Sequence, residues 1–112
     1  MPRIVACMGT NRLEVLRGML EQDPKNTFAR YGLAMEFVNN GEHQQAQAEF
    51  DELLSLTPEY VPGYFHAGRN LEKLGRTDDA KAVYEKGITT ATAAGDMHAR
   101  SELQAALDMV GL

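Results

Sequence analysis

The chain has 112 residues, enough for one domain that builds a core without covalent staples. Its apolar fraction of 44% and charged fraction of 24% are those of a soluble globular protein. A net charge of −5 with no Lys/Arg cluster argues against nucleic acid and anionic membrane surfaces as partners, and the single cysteine excludes an internal disulfide or a cysteine-built metal site.

Residues 1–9 show no periodicity and are expected to form a flexible N-terminal segment, with Cys7 an inert small residue inside it. The apolar run Ile4 to Met8 is too short for a signal-peptide core or a membrane span, so a cytoplasmic protein is expected. A first helix is predicted over 11–22, where Asn11 and Glu14 form a capping-box pattern and Leu13, Leu16 and Leu20 share a face. Asp23-Pro24 stops it, because the residue before a proline is pushed out of the helical region.

Asn26 caps a second helix running to about Asn39, and Gly41 is placed to end it in a left-handed turn. A third runs from about His43 to Leu56 with Ala46, Phe50, Leu53 and Leu54 inward, and Thr57-Pro58 closes it. The fourth opens at Val61-Pro62, where a proline in the first turn loses nothing, and ends at Gly75. Thr77 is expected to cap a fifth, with Asp78 and Asp79 in its first turn and Ala80, Val83, Tyr84 and Ile88 along it, before it dissolves into TTATAAG. Asp96 caps the sixth, predicted over 96–110, whose stripe is Leu103, Ala106, Leu107 and Val110. No stretch alternates with a period of two, so the predicted fold is all-α, with about six helices. Connections this short force neighbouring helices antiparallel.

The stretch Tyr31 to Phe50 is echoed by Phe65 to Tyr84. Pro24 and Pro58, Leu33 and Ala67, Gly41 and Gly75, Ala46 and Ala80, and Phe50 and Tyr84 all lie 34 residues apart. A fixed period of this size marks a stacked-repeat protein. Small residues at Ala34, Ala46, Gly68 and Ala80 let the helices of a pair approach closely, while Phe50 and Tyr84 fill the gap to the next pair.

Helix pairs joined by a glycine turn at this spacing resemble the tetratricopeptide repeat. In a repeat at 27–60, the family's large, small, aromatic and proline places fall on Arg30, Leu33, Ala34, Phe37, Ala46, Phe50, Leu53 and Pro58. In a repeat at 61–94 they fall on Tyr64, Ala67, Gly68, Leu71, Ala80, Tyr84, Gly87 and Thr92. Arg30 departs from the usual aromatic and Thr92 from the usual proline. Residues 11–24 resemble the second half of an earlier repeat, and the sixth helix resembles the first half of a later one, slipped by two residues, as a capping helix. The resemblance implies a single domain over 10–112, a right-handed superhelical stack of antiparallel helix pairs of the α-solenoid kind.

Nothing in the chain spells out catalysis. There is no GxGxxG, GxxxxGK[ST] or HExxH, and His43, His66 and His98 fall on three different predicted helices. Glu42, Glu49, Asp51 and Glu52 read as a solvated face. The chain is therefore not expected to be an enzyme, nor to carry a metal or cofactor.

The second helix is the anomaly. At about 100° per residue, Leu33 and Phe37 point one way while Phe28, Tyr31, Met35 and Val38 point the other. In the family resembled, the first helix of each repeat lines a concave groove. Its groove positions fall here on Phe28, Tyr31, Met35 and Val38, then on Pro62, Phe65, Arg69 and Glu72, with His66 alongside. The resemblance implies a protein-binding adaptor that takes a peptide or helix of another protein; the apolar stripe predicts recognition of apolar side chains, with Arg69 and Glu72 fixing register and little dependence on salt. The Lys and Asn with which some members grip a C-terminal carboxylate are here Tyr31 and Met35. Two other readings compete: the stripe is covered by the sixth helix or the N-terminal segment, or it joins two copies in a homodimer.

Overall fold

A computed structural model describes the backbone of residues 2–112 and the side chains from residue 12 onward. The described residues form six helices: α1 (Pro2–Gln22), α2 (Thr27–Asn39), α3 (His43–Leu56), α4 (Val61–Lys73), α5 (Thr77–Ala94) and α6 (Met97–Met109). No strand occurs among the described residues.

The turns between helices are built by local chemistry. The Asn26 side chain accepts from the Ala29 amide at 3.0 Å, and Asp96 does the same for Ala99 at 3.0 Å, each satisfying a donor that the first helical turn leaves unpaired. At the other ends Gly41, Gly75 and Gly95 adopt φ of 77°, 76° and 74°. Each lets its own amide and the next one reach back to two carbonyls of the last turn, as Gly41 does to Val38 and Glu42 to Phe37.

Three expectations at helix ends require correction. The first helix starts at Pro2 rather than at residue 11, so Asn11 lies inside α1 and does not cap it. Proline in the first turn suits a helix start, and Ala6 and Met8 are good helix formers. The side chain of Cys7 lies outside the described residues. Thr77 is the first residue of α5 rather than its cap; Arg76 holds that place, and its Nε donates to Asp79 at 2.9 Å. TTATAA does not dissolve but stays in α5, where the hydroxyls of Thr89, Thr90 and Thr92 donate to carbonyls one turn back at 3.3, 2.8 and 2.7 Å.

Each helix packs against the next, and α6 reaches back to α4 as well. One buried cluster joins Leu16, Leu33, Phe37, Phe50 and Leu53; a second joins Tyr64, Leu71, Tyr84 and Leu103; Leu54 and Val83 lie against both. Close approach is structural at Gly68, where an added Cβ would lie 2.2 Å from the Tyr84 ring. At Gly87 it would lie 2.6 Å from the Tyr64 Cβ.

The departure at Arg30 has a physical account. Arg30 and Tyr64 occupy equivalent places, and both donate to the carbonyl of the equivalent proline: Arg30 Nη2 to Pro24 at 3.0 Å, and the Tyr64 hydroxyl to Pro58. The guanidinium also holds Glu49 at 2.8 Å, while its Nε is buried without a partner. Glu49 thus leaves the face expected to be solvated. Between α3 and α4 a buried Asn70 donates from Nδ2 to the His43 carbonyl at 2.8 Å and to Gln47 at 3.0 Å, and accepts from His43 Nδ1 at 2.7 Å.

Candidate functional site

The first helices of successive pairs, α2, α4 and α6, form one face of the stack. Tyr31, Met35 and Val38 are spaced by four and three residues along α2, as are Phe65, Arg69 and Glu72 along α4. That spacing puts each trio on one side of its helix. Glu102, Ala106 and Met109 repeat it on α6.

Between α2 and α4 lies a cleft of about 230 Å³ lined by Met35, Val38, Phe65, His66, Arg69, Asn70 and Lys73. Between α4 and α6 lies a larger one of about 550 Å³, lined by Phe65, Arg69, Glu72, Glu102, Ala105, Ala106 and Met109. Phe65 and Arg69 belong to both, so the two clefts adjoin across one ridge, where the guanidinium lies 5.7 Å from the centre of the Phe65 ring. Above them runs an aromatic row with edge-to-face contacts: Tyr60 against Tyr31 at 5.4 Å, Tyr31 against His66 at 5.7 Å, and His66 against Phe65 at 5.4 Å.

Burial at this face shifts its titrating groups. Desolvation holds His66 below its ordinary value, with Arg69 acting the same way and Glu102 against both. Tyr31 is raised by burial and then by Tyr60. Tyr84, behind α4, is raised strongly by burial and by its bond to Glu72, whose carboxylate accepts the hydroxyl proton. Among the described residues no group of three His, Cys, Asp or Glu is placed to hold a metal, and no helix is long and apolar enough to cross a membrane.

The structure brings together seven of the nine residues expected in the groove: Tyr31, Met35, Val38, Phe65, His66, Arg69 and Glu72, while Pro62, exposed in the first turn of α4, lines neither cleft. The apolar ones among them are half-buried. Phe28 stands apart in the first turn of α2, 71% exposed and lining neither cleft. The helix α6 does not cover the stripe but forms the far wall of the larger cleft. The described part of α1 packs beside Gly32, whose Cα faces Leu16, and beside Phe37, over which Arg17 lies. Sequence reasoning missed Tyr60, which sits in a connection with no periodicity, and the α6 wall, of which only Ala106 lies on the stripe read from the sequence.

Antiparallel helix pairs stacked so that alternate helices share a concave face define a helical repeat protein. The tetratricopeptide repeat family matches residues 29–60 and 61–92, more than half of the chain, and the chain belongs to that family. The solution structure of a tetratricopeptide repeat domain protein from Salinibacter ruber is 42% identical, with a TM-score of 0.72 over 76% of this chain and 86% of that one. A TPR repeat-containing protein of Pseudomonas aeruginosa is 26% identical over 91 residues, 81% of this chain and 87% of its own. The crystal structure of PcrH has the same fold, with a TM-score of 0.82 over 96% of this chain and 81% of that one at 17% identity.

Proposed function

We propose that the protein is a cytoplasmic adaptor, a protein-interaction module that takes a peptide or helix of another protein on the face formed by α2, α4 and α6. The observation that carries this reading is the half-buried row of Tyr31, Met35, Val38, Phe65 and His66 flanked by two adjoining clefts. A contiguous apolar patch with a few polar groups at its rim is the usual form of a binding site on a soluble protein. Tyr31 and Phe65 are its anchors, Met35 its adaptable wall. The fold is compatible with such use: PcrH was solved in complex with the chaperone binding region of PopD, and the TPR2B domain of yeast Sti1 in complex with pHsp70. The reading assigns the chain no catalysis, no cofactor, and neither nucleic acid nor membrane as a partner.

The test compares wild type with a Tyr31→Glu/Phe65→Glu variant as bait in native lysate, with circular dichroism showing that both remain helical. Proteins held by the wild type are expected to be lost from the variant. If both baits retain the same set, the concave face is not the binding site. Self-association through the same face would bury it equally well, and light scattering separates the two cases. The adaptor gives the monomer mass of 12.4 kDa; a dimer gives twice that and replaces the adaptor reading.

A further inference from the structure

The larger cleft carries two carboxylates over an apolar floor. Glu72 enters from α4 and Glu102 from α6, above Phe65, Ala106 and Met109. Glu72 is held from behind, since the hydroxyl of the buried Tyr84 donates to its Oε2. The equivalent places one repeat earlier are Val38 and Phe50, so the smaller cleft has neither the carboxylate nor its donor.

Among the described residues no Lys or Arg forms an ion pair with Glu72 or Glu102. Glu102 lies 3.5 Å from the imidazole of His98, and both side chains are exposed. Arg69 shares the cleft but rests over Phe65, so two carboxylates against one guanidinium leave the lining with a net negative charge. An occupant that covered these carboxylates with apolar surface alone would strand them away from water, which costs more than the apolar contact returns.

We infer that this cleft takes a basic side chain. The occupant is a segment of a partner protein in which a Lys or Arg stands one or two positions from a large apolar residue. The apolar side chain packs on Phe65, Ala106 and Met109, and the cation sits between Glu72 and Glu102. The net charge of −5 favours encounter with such a segment and disfavours an acidic one. This rests on the concave-face reading above, and it limits the expected salt-independence to the α2/α4 half of the face.

A random peptide display library is selected against three immobilised proteins: wild type, Glu72→Gln/Glu102→Gln, and Tyr31→Glu/Phe65→Glu. Glutamine at 72 still accepts from Tyr84, and position 102 is exposed, so the first variant is expected to keep wild-type helicity. Should it not, Glu102→Gln alone carries the same test. Wild type is expected to enrich peptides with Lys or Arg beside Leu, Ile, Phe or Met, and the glutamine variant to keep the apolar residue without the basic neighbour. The best wild-type peptide, resynthesised, should bind the glutamine variant about three- to tenfold more weakly, and only its wild-type affinity should fall with added salt. Enrichment of apolar peptides with no basic neighbour, enrichment of acidic ones, or affinities within twofold overturns the inference while leaving the groove in place. No enrichment on wild type over Tyr31→Glu/Phe65→Glu removes both.

Discussion

Arg30 shows how one position can be at odds with its family and still do the same work. It replaces an aromatic ring with a guanidinium that is only 15% exposed, and it stays tolerable because Glu49 and the Pro24 carbonyl receive it. A partly buried charge that loses its partner is more costly than the pair was favourable. Glu49→Ala is therefore expected to lower stability by about 1–3 kcal/mol, while Arg30→Met/Glu49→Met returns to within about 1 kcal/mol of wild type, both read by chemical denaturation. His66 makes a second prediction at this scale. Because burial holds its pKa below the ordinary value of about 6.5, the folded chain favours the neutral imidazole and the unfolded chain takes up the proton first. That contribution to stability is complete above about pH 6.5 and is lost as pH falls through the folded value. The melting temperature should drop between neutrality and about pH 5, and His66→Phe should flatten the drop. An equal drop in both proteins would place the effect elsewhere.

At the level of helices, what could be read in advance depended on whether a boundary is written in neighbouring residues. Asn26, Gly41, Thr57-Pro58, Val61-Pro62 and Gly75 act within a turn, and α2, α3 and α4 begin and end where those residues say. The end of α5 was not legible, because a run of threonines is a poor helix former whose fate is settled by packing: Ala91 is fully buried in the second cluster and holds the last turns in place. Thr89 and Thr92 are exposed and bond only to their own helix. Thr89→Ala/Thr92→Ala is then expected to raise stability by about 1 kcal/mol in denaturant titrations, since alanine loses less entropy in a helix. A destabilised variant would mean that the hydroxyls matter beyond α5.

For the molecule as a whole, stacking gives an elongated body, 47 by 31 by 21 Å, with a radius of gyration of 15.0 Å. A compact chain of this length would give about 13 Å. In such a stack each helix is stabilised by its immediate neighbours, so amide exchange should be slowest in α2, α3, α4 and α5, each packed between the helix before it and the helix after it, and faster in α1 and α6 at the ends. Uniform protection would show all-or-none unfolding instead. The α2 row of the concave face was legible because apolar side chains stand opposite Leu33 and Phe37 on the same helix, and the α4 row through the repeat register that carries Tyr31 onto Phe65. Its α6 wall was not, since Glu102, Ala105 and Met109 mean something only once α6 leans on α4. The two full pairs also differ as matched sets: Val38, Ala34 and Phe50 in one, Glu72, Gly68 and Tyr84 in the other. Evolution or an engineer could transplant either hairpin intact, but a chimaera trading α3 for α5 would jam a phenol against a methyl at one junction and open a void at the other. The heritable module in this chain is the hairpin, never the single rod.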